Sequence, residues 1–374
     1  MLKAHRPRHV RSAVALTLVL LGSVLAGPVD ASPARHGLLS WLNAAAPLFS
    51  QFPALGSGLQ FLVGPSSLDY GSDGRLTVLV VGSDYRSTRP GERLDAVMVA
   101  TINPLTHQMA AVSIPRDTGE LPLPDPNDTY KGKVNSLFRH YKDLGNNREV
   151  ALDLMRATIA YALDIEIDNV AYARFTGFDF LVDQLGYVAV DTPETIRDAS
   201  IVDDRTKPHG ALFPAATDYQ LGGANATQCY TNGPPVNWLT APACHHALLY
   251  VRSRHGYVGT QHNSNYKRDK RQQSFLMSAV RRVVALTTAN SSTLTTLRDA
   301  ALTRTTDFYT DLPITQDADL LALYLLYNGA QNQPFLQATL KPRAYAKLIP
   351  GTSKYALKLD AVRTLTHAWF APVP

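Results

Sequence analysis

The pattern of apolar and polar residues between residues 76 and 191 predicts strands that alternate with helices. Apolar runs predict strands at 76–82, 95–104, 108–115, 170–175 and 187–191, and helical periodicity predicts helices at 133–145, 147–163 and 176–186. The turn sequence NPLTHQ predicts that the second and third strands form a hairpin. We expect Thr176 to cap the start of the third helix and Gly186 to follow its end. This alternation predicts an α/β fold, an α-β-α sandwich with a central mixed β-sheet.

The second half of the chain follows a different pattern. Residues 199–243 are rich in Gly, Pro, Asn and Thr, which predicts a long loop, and we interpret 222–243 as an insertion. Helical patterns resume at 245, 267–288, 292–303 and 315–328, and the tail after 337 predicts one or two strands and a final helix. Arg252 and Arg254 would share one side only on an extended segment, so we expect the helix that begins at 245 to end near Tyr250.

The N-terminal segment 1–31 is organised like an export signal. A basic start, MLKAHRPRHVR, precedes the apolar run SAVALTLVLLGSVLAG, and small-residue cleavage signals end at Ala26 and Ala31. The run is shorter than the roughly 20 residues that span a bilayer comfortably, so a cleaved signal peptide and an uncleaved anchor are both open. In either case we expect the rest of the chain outside the cytoplasmic membrane. We interpret 32–75 as a linker and 76–374 as the folded domain.

Cysteine usage agrees with export. The chain has only two cysteines, Cys229 and Cys244, on either side of a Gly/Pro/Asn-rich segment. In an oxidising compartment we expect them to form one disulfide that staples the loop. A structural zinc ion needs four ligands, and only His245 and His246 lie nearby, so the sequence does not favour a zinc site.

Charged residues gather in four clusters. The net charge is +5, but no long basic run or aromatic-rich basic stretch is present, so nucleic-acid binding is not favoured. The clusters are Asp84, Arg86, Arg89, Glu92, Arg93 and Asp95; Arg116 and Asp117; Arg252 and Arg254; and Arg268, Arg271, Gln272 and Gln273.

The residue types in these clusters suit phosphoryl transfer. Arginine presents a planar fork of donors to phosphate oxygens, and aspartate oxygens are hard ligands for Mg²⁺ or Mn²⁺. Transfer from a diphosphate needs both, with the metal ion and the arginines sharing the negative charge. Asp84 ends one predicted strand and Asp95 begins the next, so a bent loop would bring both to one ion. The alternative is that each cluster is a solvated surface or a structural ion pair, which is the commoner case for any single cluster.

Taken together and in order, the clusters resemble the LytR-CpsA-Psr family of bacterial cell-wall phosphotransferases. The matching segments are VLVVGSDYR, RLDAVMVATINP, SIPRD, KVN, FTGFDFLVDQLG, ALLYVRSR and RDKRQQ, between Leu76 and Val280. Each motif is weak alone, whereas their number, order and spacing are specific. The resemblance implies an extracytoplasmic α-β-α domain, usually behind an N-terminal membrane anchor.

The resemblance also assigns roles to residues. Two aspartates hold Mg²⁺ in the family, and they match Asp84 and Asp95. The arginines that bind pyrophosphate match Arg93, Arg116, Arg252 and Arg254. Further polar positions of the same site match Arg86, Lys133, Arg271, Gln272 and Gln273. On this interpretation Arg93, Arg116 and Asp95 take part in catalysis.

The activity that the resemblance implies is transfer of a glycopolymer from a polyprenyl-pyrophosphate carrier onto peptidoglycan in cell-wall assembly. Two alternatives are hydrolysis of the pyrophosphate by the same site, and a non-catalytic receptor for anionic wall polymer or lipid. A prenyl chain needs an apolar groove, for which the apolar faces of 150–163 and 175–185 are candidates. Leu94 stands where a small hydroxyl residue is usual, and Asn265 where an acidic residue is common. These departures leave the cargo and the acceptor open.

Overall fold

The structure is a computed structural model that describes residues 68–85, 91–125, 127–202, 209–223, 246–290, 292–314, 316–331 and 333–373. The export segment, most of the linker, Arg86, Arg89 and both cysteines lie outside the described residues. The signal or anchor, the disulfide and the inserted loop therefore stay predictions.

Sixteen strands form in the described residues: β1 (Leu76–Ser83), β2 (Leu94–Ile102), β3 (Met109–Ser113), β4 (Thr118–Pro122), β5 (Thr129–Lys133), β6 (Asn169–Arg174), β7 (Val188–Thr192), β8 (Ile196–Val202), β9 (His209–Phe213), β10 (Ala216–Leu221), β11 (Tyr257–Val258), β12 (Gln261–His262), β13 (Phe308–Thr310), β14 (Leu336–Thr339), β15 (Ala346–Leu348) and β16 (Tyr355–Leu357). Eight α-helices accompany them: α1 (Leu137–Asp143), α2 (Arg148–Leu163), α3 (Phe175–Gln184), α4 (His246–Arg252), α5 (Asn265–Ala289), α6 (Thr293–Leu302), α7 (Asp317–Ala330) and α8 (Leu359–Trp369).

A six-stranded mixed sheet forms the centre of the fold, in the order β13-β6-β1-β2-β3-β14. β1 is parallel to β6 and β3 is parallel to β14, whereas the other neighbouring pairs are antiparallel. The predicted hairpin of β2 and β3 is confirmed.

Alternate residues of the central strands face two separate hydrophobic cores. Val78 and Met98 lie in the core that includes residues of α3 to α7. Leu79 and Val97 lie in the core that includes residues of α1, α2 and α8. Because successive side chains of a strand point to opposite faces, the apolar runs of the sequence fill both layers. The predicted α-β-α sandwich with a central mixed sheet is confirmed.

The predicted loop over 199–243 is wrong for its described part. β8 and β9 pair antiparallel, and β10 pairs antiparallel with β7. These strands belong to small sheets beside the central one, and β10 leaves most of its side chains at least partly exposed. Their sequences therefore lack the apolar runs by which the central strands were predicted.

Two predictions about helix ends are wrong. Helix α3 begins at Phe175, and Arg174 takes the N-cap position without a side-chain bond. Thr176 instead donates from its Oγ1 to Asp307 at 2.6 Å. Helix α4 continues through Arg252 rather than ending near Tyr250. Gly186 adopts a φ of 70° after α3, in agreement with its predicted role as a helix end.

The packed domain begins earlier than predicted, because Leu68 already lies in the hydrophobic core. None of the helices in the described part of the chain combines the length and apolarity needed to cross a membrane.

Candidate active site

A β-bulge positions Asp95 at the edge of the central sheet. Gly82 pairs with Ala96, and Ser83 pairs with Leu94, so Asp95 is the extra residue of β2. A bulge of this kind bends the strand and re-aims the side chain of its extra residue. Asp95 is only 19% exposed.

Asp84 lies at the same edge, directly after β1. Its amide N–H donates to the carbonyl of Arg93 at 2.9 Å, and its Oδ1 accepts the amide N–H of Arg93 at 2.8 Å. These bonds extend the β1–β2 pairing beyond the bulge, so both predicted metal ligands belong to one end of one strand pair. The side chain of Arg93 is exposed and forms no ion pair with a described residue.

Two arginines from other segments reach Asp95. Arg116 follows β3 and donates from Nη1 to Asp95 Oδ1 at 2.9 Å. Arg268 on α5 places its Nη1 3.9 Å from the same oxygen. Arg268 is 1% exposed and is also paired with Asp269 at 3.1 Å. Burial raises the pKa of Asp269 to about 6, although Arg268 opposes that rise.

Arg268 is a site residue that the family motif did not single out. Arg268 lies in the charged run RDKRQQ, which marks the segment as a candidate. The run alone does not show which of its arginines faces the sheet.

A chain of polar contacts leads from Arg254 to Lys133. Arg254 Nη1 lies 3.5 Å from Asn265 Oδ1, and Asn265 Nδ2 donates to Asp117 Oδ2 at 3.1 Å. The other oxygen of Asp117 accepts from Lys133 Nζ at 2.6 Å. Burial lowers the pKa of Arg254, and the nearby charge of Arg116 lowers it further. The site therefore concentrates positive charge that an anionic ligand would relieve.

Asp198 fixes the backbone that carries Arg254. This buried carboxylate accepts from Ser253 Oγ at 2.8 Å and from the amide N–H groups of Arg254 and His255 at 3.0 Å each. No sequence motif marks this anchor, because Asp198 lies beside the Gly/Pro/Asn-rich segment and its partners are more than 50 residues away in the chain.

An apolar pocket with a cavity volume of about 110 Å³ lies on the α3 side of the central sheet. Phe175 and Phe178 line one wall, and Phe275 packs against Phe178 with ring centroids 5.3 Å apart. The polar residues among its lining are Asp95, Arg174, Arg252 and Gln272. The apolar face of 175–185 thus lines a pocket as predicted, whereas the face of 150–163 packs in the opposite core.

Two pocket arginines stack on aromatic rings. Arg252 lies 4.6 Å from the ring centroid of Phe175, and Arg174 lies 3.8 Å from that of Tyr85. Stacking leaves the edge of a guanidinium group available to hydrogen-bond an anion. Arg252 and Arg254 therefore serve different parts of the site, the pocket and the polar chain.

Arg174 is the second residue that the motif did not identify. Its Nε donates to Tyr172 at 2.9 Å and lies 3.6 Å from the buried carboxylate of Glu92. Glu92 also accepts from Tyr172 and from Ser83 Oγ. Burial, and secondarily Glu92, raises the pKa of Tyr172. The network orients Arg174 at the pocket, and its two Nη atoms form no hydrogen bond with described residues.

The last three predicted ligands have different surroundings. Arg271 donates to the carbonyls of Tyr250 and Ser253, and burial lowers its pKa to about 10. Gln273 is 1% exposed and its Nε2 donates to a β3 side chain and a β14 carbonyl. Gln272, in contrast, lines the pocket. The described contacts give Arg271 and Gln273 framework roles, and a ligand contact by either stays a prediction.

The donor set at the sheet edge fits a hard divalent cation. Asp84 and Asp95 supply carboxylate oxygens from neighbouring strand ends, and Mg²⁺ is commonly held by one or two carboxylates together with phosphate oxygens. Among the residues that the structure describes, no group of three or more His, Cys, Asp and Glu forms a metal site. The described residues alone therefore do not complete the coordination of a metal ion.

The model of the LytR_cpsA_psr family matches residues 63–368 of this chain. The teichoic acid transferase TagU of Bacillus cereus (strain AH820) is 34% identical over 116 residues, which cover 31% of this chain and 34% of TagU. The cell wall biosynthesis protein LcpA of Corynebacterium glutamicum is 28% identical over 337 residues, which cover 72% of this chain and 57% of LcpA. The chain thus matches about a third of one relative's length and somewhat over half of the other's.

Solved structures agree on the fold. The crystal structure of B. subtilis TagV has a TM-score of 0.54 at 20% identity, and the match covers 80% of this chain and 98% of TagV. The protein gbs0355 from Streptococcus agalactiae has a TM-score of 0.55 at 19% identity, with 80% of this chain and 89% of that protein covered. Because the family model extends over most of the sequence and the fold agrees with it, this chain belongs to the LytR_cpsA_psr family.

Proposed function

We propose that the protein is an extracytoplasmic, Mg²⁺-dependent phosphotransferase that moves a glycopolymer from a polyprenyl-pyrophosphate carrier onto peptidoglycan. The observation that carries the proposal is the apolar pocket whose lining also contains Asp95, Arg174 and Arg252. Arg116, bound to Asp95, adds a further cation beside it. An apolar pocket joined to a cationic site suits a lipid with a diphosphate head. Family membership and the names of TagU and LcpA support the same activity.

Different residues of the site would bind the prenyl chain and the diphosphate. The prenyl chain would lie against Phe175 and Phe178, and Arg116, Arg252 and Arg254 would offset the negative charge of the diphosphate. The oxygen of a peptidoglycan hydroxyl forms a bond to the distal phosphorus. The bond from that phosphorus to the bridging oxygen breaks, and polyprenyl phosphate leaves with the electron pair. Cations placed where this charge develops lower the barrier.

Asp117 is the carboxylate that we assign to take the hydroxyl proton. Asp95, the other carboxylate at this position, is bound to Arg116 at 2.9 Å, lies 3.9 Å from Arg268 and would also hold the metal ion, whereas Asp117 has one cationic partner, Lys133, at 2.6 Å. Asp117 lies next to Arg116 in the chain and is oriented by Lys133 and Asn265. An oriented carboxylate beside the reacting group is what general base catalysis requires.

Asp84 and Asp95 would hold the Mg²⁺ ion. When bound there, the ion would supply positive charge to the phosphate oxygens. We place the domain in the cell envelope, either anchored by residues 1–31 or released after their cleavage, because its acceptor is a wall polymer.

Transfer can be tested with the purified protein, a synthetic polyprenyl-pyrophosphate-linked glycan and peptidoglycan oligomers. We expect a glycan-peptidoglycan product that depends on Mg²⁺ and is lost in Arg116→Ala and Asp95→Ala. Arg298→Ala and Asp299→Ala are matched controls, because this pair interacts on α6, outside the pocket lining.

The outcomes separate the rival functions. Free glycan phosphate without a linked product, with or without peptidoglycan, would identify a hydrolase. Binding of the carrier without any turnover, unchanged by Asp95→Ala, would identify a receptor. Full transfer in the presence of a metal chelator would contradict the proposed role of Mg²⁺.

A further inference from the structure

A second cationic surface lies on the sheet formed by β15, β16, β4 and β5, in that order. Lys347 pairs with Ala356, Ala356 with Gly119, and Gly119 with Lys133. Residues that pair directly across strands point to the same face of a sheet. Lys347 and Lys133 therefore lie on one face, at opposite ends of a row with only an alanine and a glycine between them.

This face is directed away from the hydrophobic core. Leu357, Leu121 and Tyr130 lie in the core. Ala356 and Lys131 are adjacent to Leu357 and Tyr130 and therefore point away from it. A register shift between Gly119 and Leu121 interrupts the alternation of β4, so that Gly119 faces outward with its partners Ala356 and Lys133. We call the residues Lys131, Lys133, Lys347 and Lys354 the lysine face.

Lys354 lies across the row. A Cβ atom placed on Gly119 would approach the Lys354 Cδ within 3.1 Å, so the aliphatic stem of Lys354 covers the glycine. The Lys354 Nζ donates to the carbonyl of Lys131 at 2.7 Å. The aliphatic stem of Lys354 therefore fills the row between Lys133 and Lys347, and its ammonium group adds a further cation to the same face.

The charges of the lysine face are almost uncompensated. Only Lys133 has a carboxylate partner, Asp117, among the ion pairs of the described residues. Glu120 is the only acidic residue within the four strands, and it forms no ion pair with a described residue. The other three lysines form no ion pair with a described residue, so a polyanion bound here would supply the negative charge that they lack.

The lysine face leads directly to the proposed active site. Lys133 donates to Asp117 at 2.6 Å, and Asp117 is adjacent to Arg116, which binds Asp95. Three strand spacings separate Lys133 from Lys347, which is about 14 Å. A single phosphate group cannot contact both ends of such a row, whereas an extended polymer can.

We propose that the lysine face binds the anionic repeats of the glycopolymer that is being transferred. This inference rests on the proposed function and adds its cargo: a glycan chain with a negative charge on each repeating unit. Peptidoglycan is the poorer match, because its stem peptides carry amines as well as carboxylates. The lysine face has few acidic residues that could pair with those amines.

The test compares two double variants. Lys131→Gln with Lys347→Gln removes two exposed cations from the lysine face, whereas Lys270→Gln with Arg281→Gln removes two exposed cations from α5. Binding of poly(glycerol phosphate), neutral dextran and peptidoglycan oligomers is measured at several salt concentrations. We expect the first double variant to bind poly(glycerol phosphate) about tenfold more weakly and with a shallower salt dependence, whereas the control matches the wild type.

A transfer assay adds a second readout. The first double variant should transfer a carrier-linked neutral disaccharide at the wild-type rate and a carrier-linked anionic polymer more slowly. Equal polymer binding by all three proteins, or equal loss in both double variants, would overturn the inference. Loss of peptidoglycan binding alone would assign the face to the acceptor and overturn the named cargo. If the wild type transfers neither substrate yet still binds the polymer through these lysines, the proposed function fails and the binding surface stands.

Discussion

The adjacent glutamines Gln272 and Gln273 test which residues of α5 contact a ligand and which hold the helix to the sheet. Gln273 is 1% exposed, and its Nε2 donates to Ser113 Oγ at 2.9 Å and to the carbonyl of Ala338 at 2.7 Å. It thus ties α5 to β3 and β14. Gln272 lines the pocket, and among the described residues its side chain bonds only to the carbonyl of Val251, at 3.0 Å.

The substitution Gln273→Leu preserves side-chain size but leaves two buried acceptors without their donor. Each unsatisfied buried group costs about 1–3 kcal/mol, so we expect a loss of about 2–6 kcal/mol in the free energy of unfolding. For a domain of about 300 residues that corresponds to a fall in Tm of roughly 3–10 °C. Gln272→Leu removes one partly exposed bond and should lower the free energy of unfolding by about 1 kcal/mol or less.

Thermal unfolding and ligand binding together separate the two roles. With farnesyl pyrophosphate as the probe, folded Gln273→Leu should keep wild-type affinity, whereas Gln272→Leu should bind about fivefold more weakly. If Gln273→Leu instead kept the wild-type Tm and bound the probe more weakly than Gln272→Leu, the framework assignment would be wrong. The ligand role implied by the family motif would then be supported.

Two further predictions concern Arg174 and Asp168. Arg174→Gln removes a stacked cation from the pocket, so farnesyl pyrophosphate should bind about tenfold more weakly, whereas farnesol binding should not change. Equal loss for both probes would contradict a charge contact. The matched control is Arg281→Gln, an exposed arginine of α5 outside the pocket lining. Burial, and then the carboxylates of Asp73 and Glu166, raise the pKa of Asp168 to about 7, so its ionisation destabilises the folded state as pH rises from about 4 to 7. At pH 8 the free energy of unfolding of Asp168→Asn should therefore exceed that of the wild type by about 2 kcal/mol, a value reduced because the group is half-buried. Near pH 4 the two proteins should be equally stable. A difference in urea unfolding that does not change with pH would refute this.

The local pattern of the sequence determined the central layer of the fold. β1, β2 and β3 are buried on both faces, and near-continuous apolar runs are typical of such strands. The helices that cover the sheet bury apolar residues against it, which is the source of their helical periodicity. β8, β9 and β10 were missed because strands outside the central sheet need no apolar run.

The sequence also predicts which segments form the candidate site. Asp84, Asp95, Arg116 and Arg254 are predicted together because aspartates and arginines suit a metal-bound diphosphate and because their motifs, in this order, resemble the LytR-CpsA-Psr family. The structure joins Asp95 to Arg116 and brings Arg254 to Asn265 and Asp117.

Only the tertiary structure decided which way the side chains of each charged or polar run point. Gln272 and Gln273 differ by about 100° around the helix axis, so one reaches the pocket and the other the sheet. Arg268 and Arg174 enter the site because α5 packs against the sheet and a buried Glu92 network orients Arg174. Such roles depend on contacts with residues that are distant in the chain, and the local sequence around a position does not reveal those contacts.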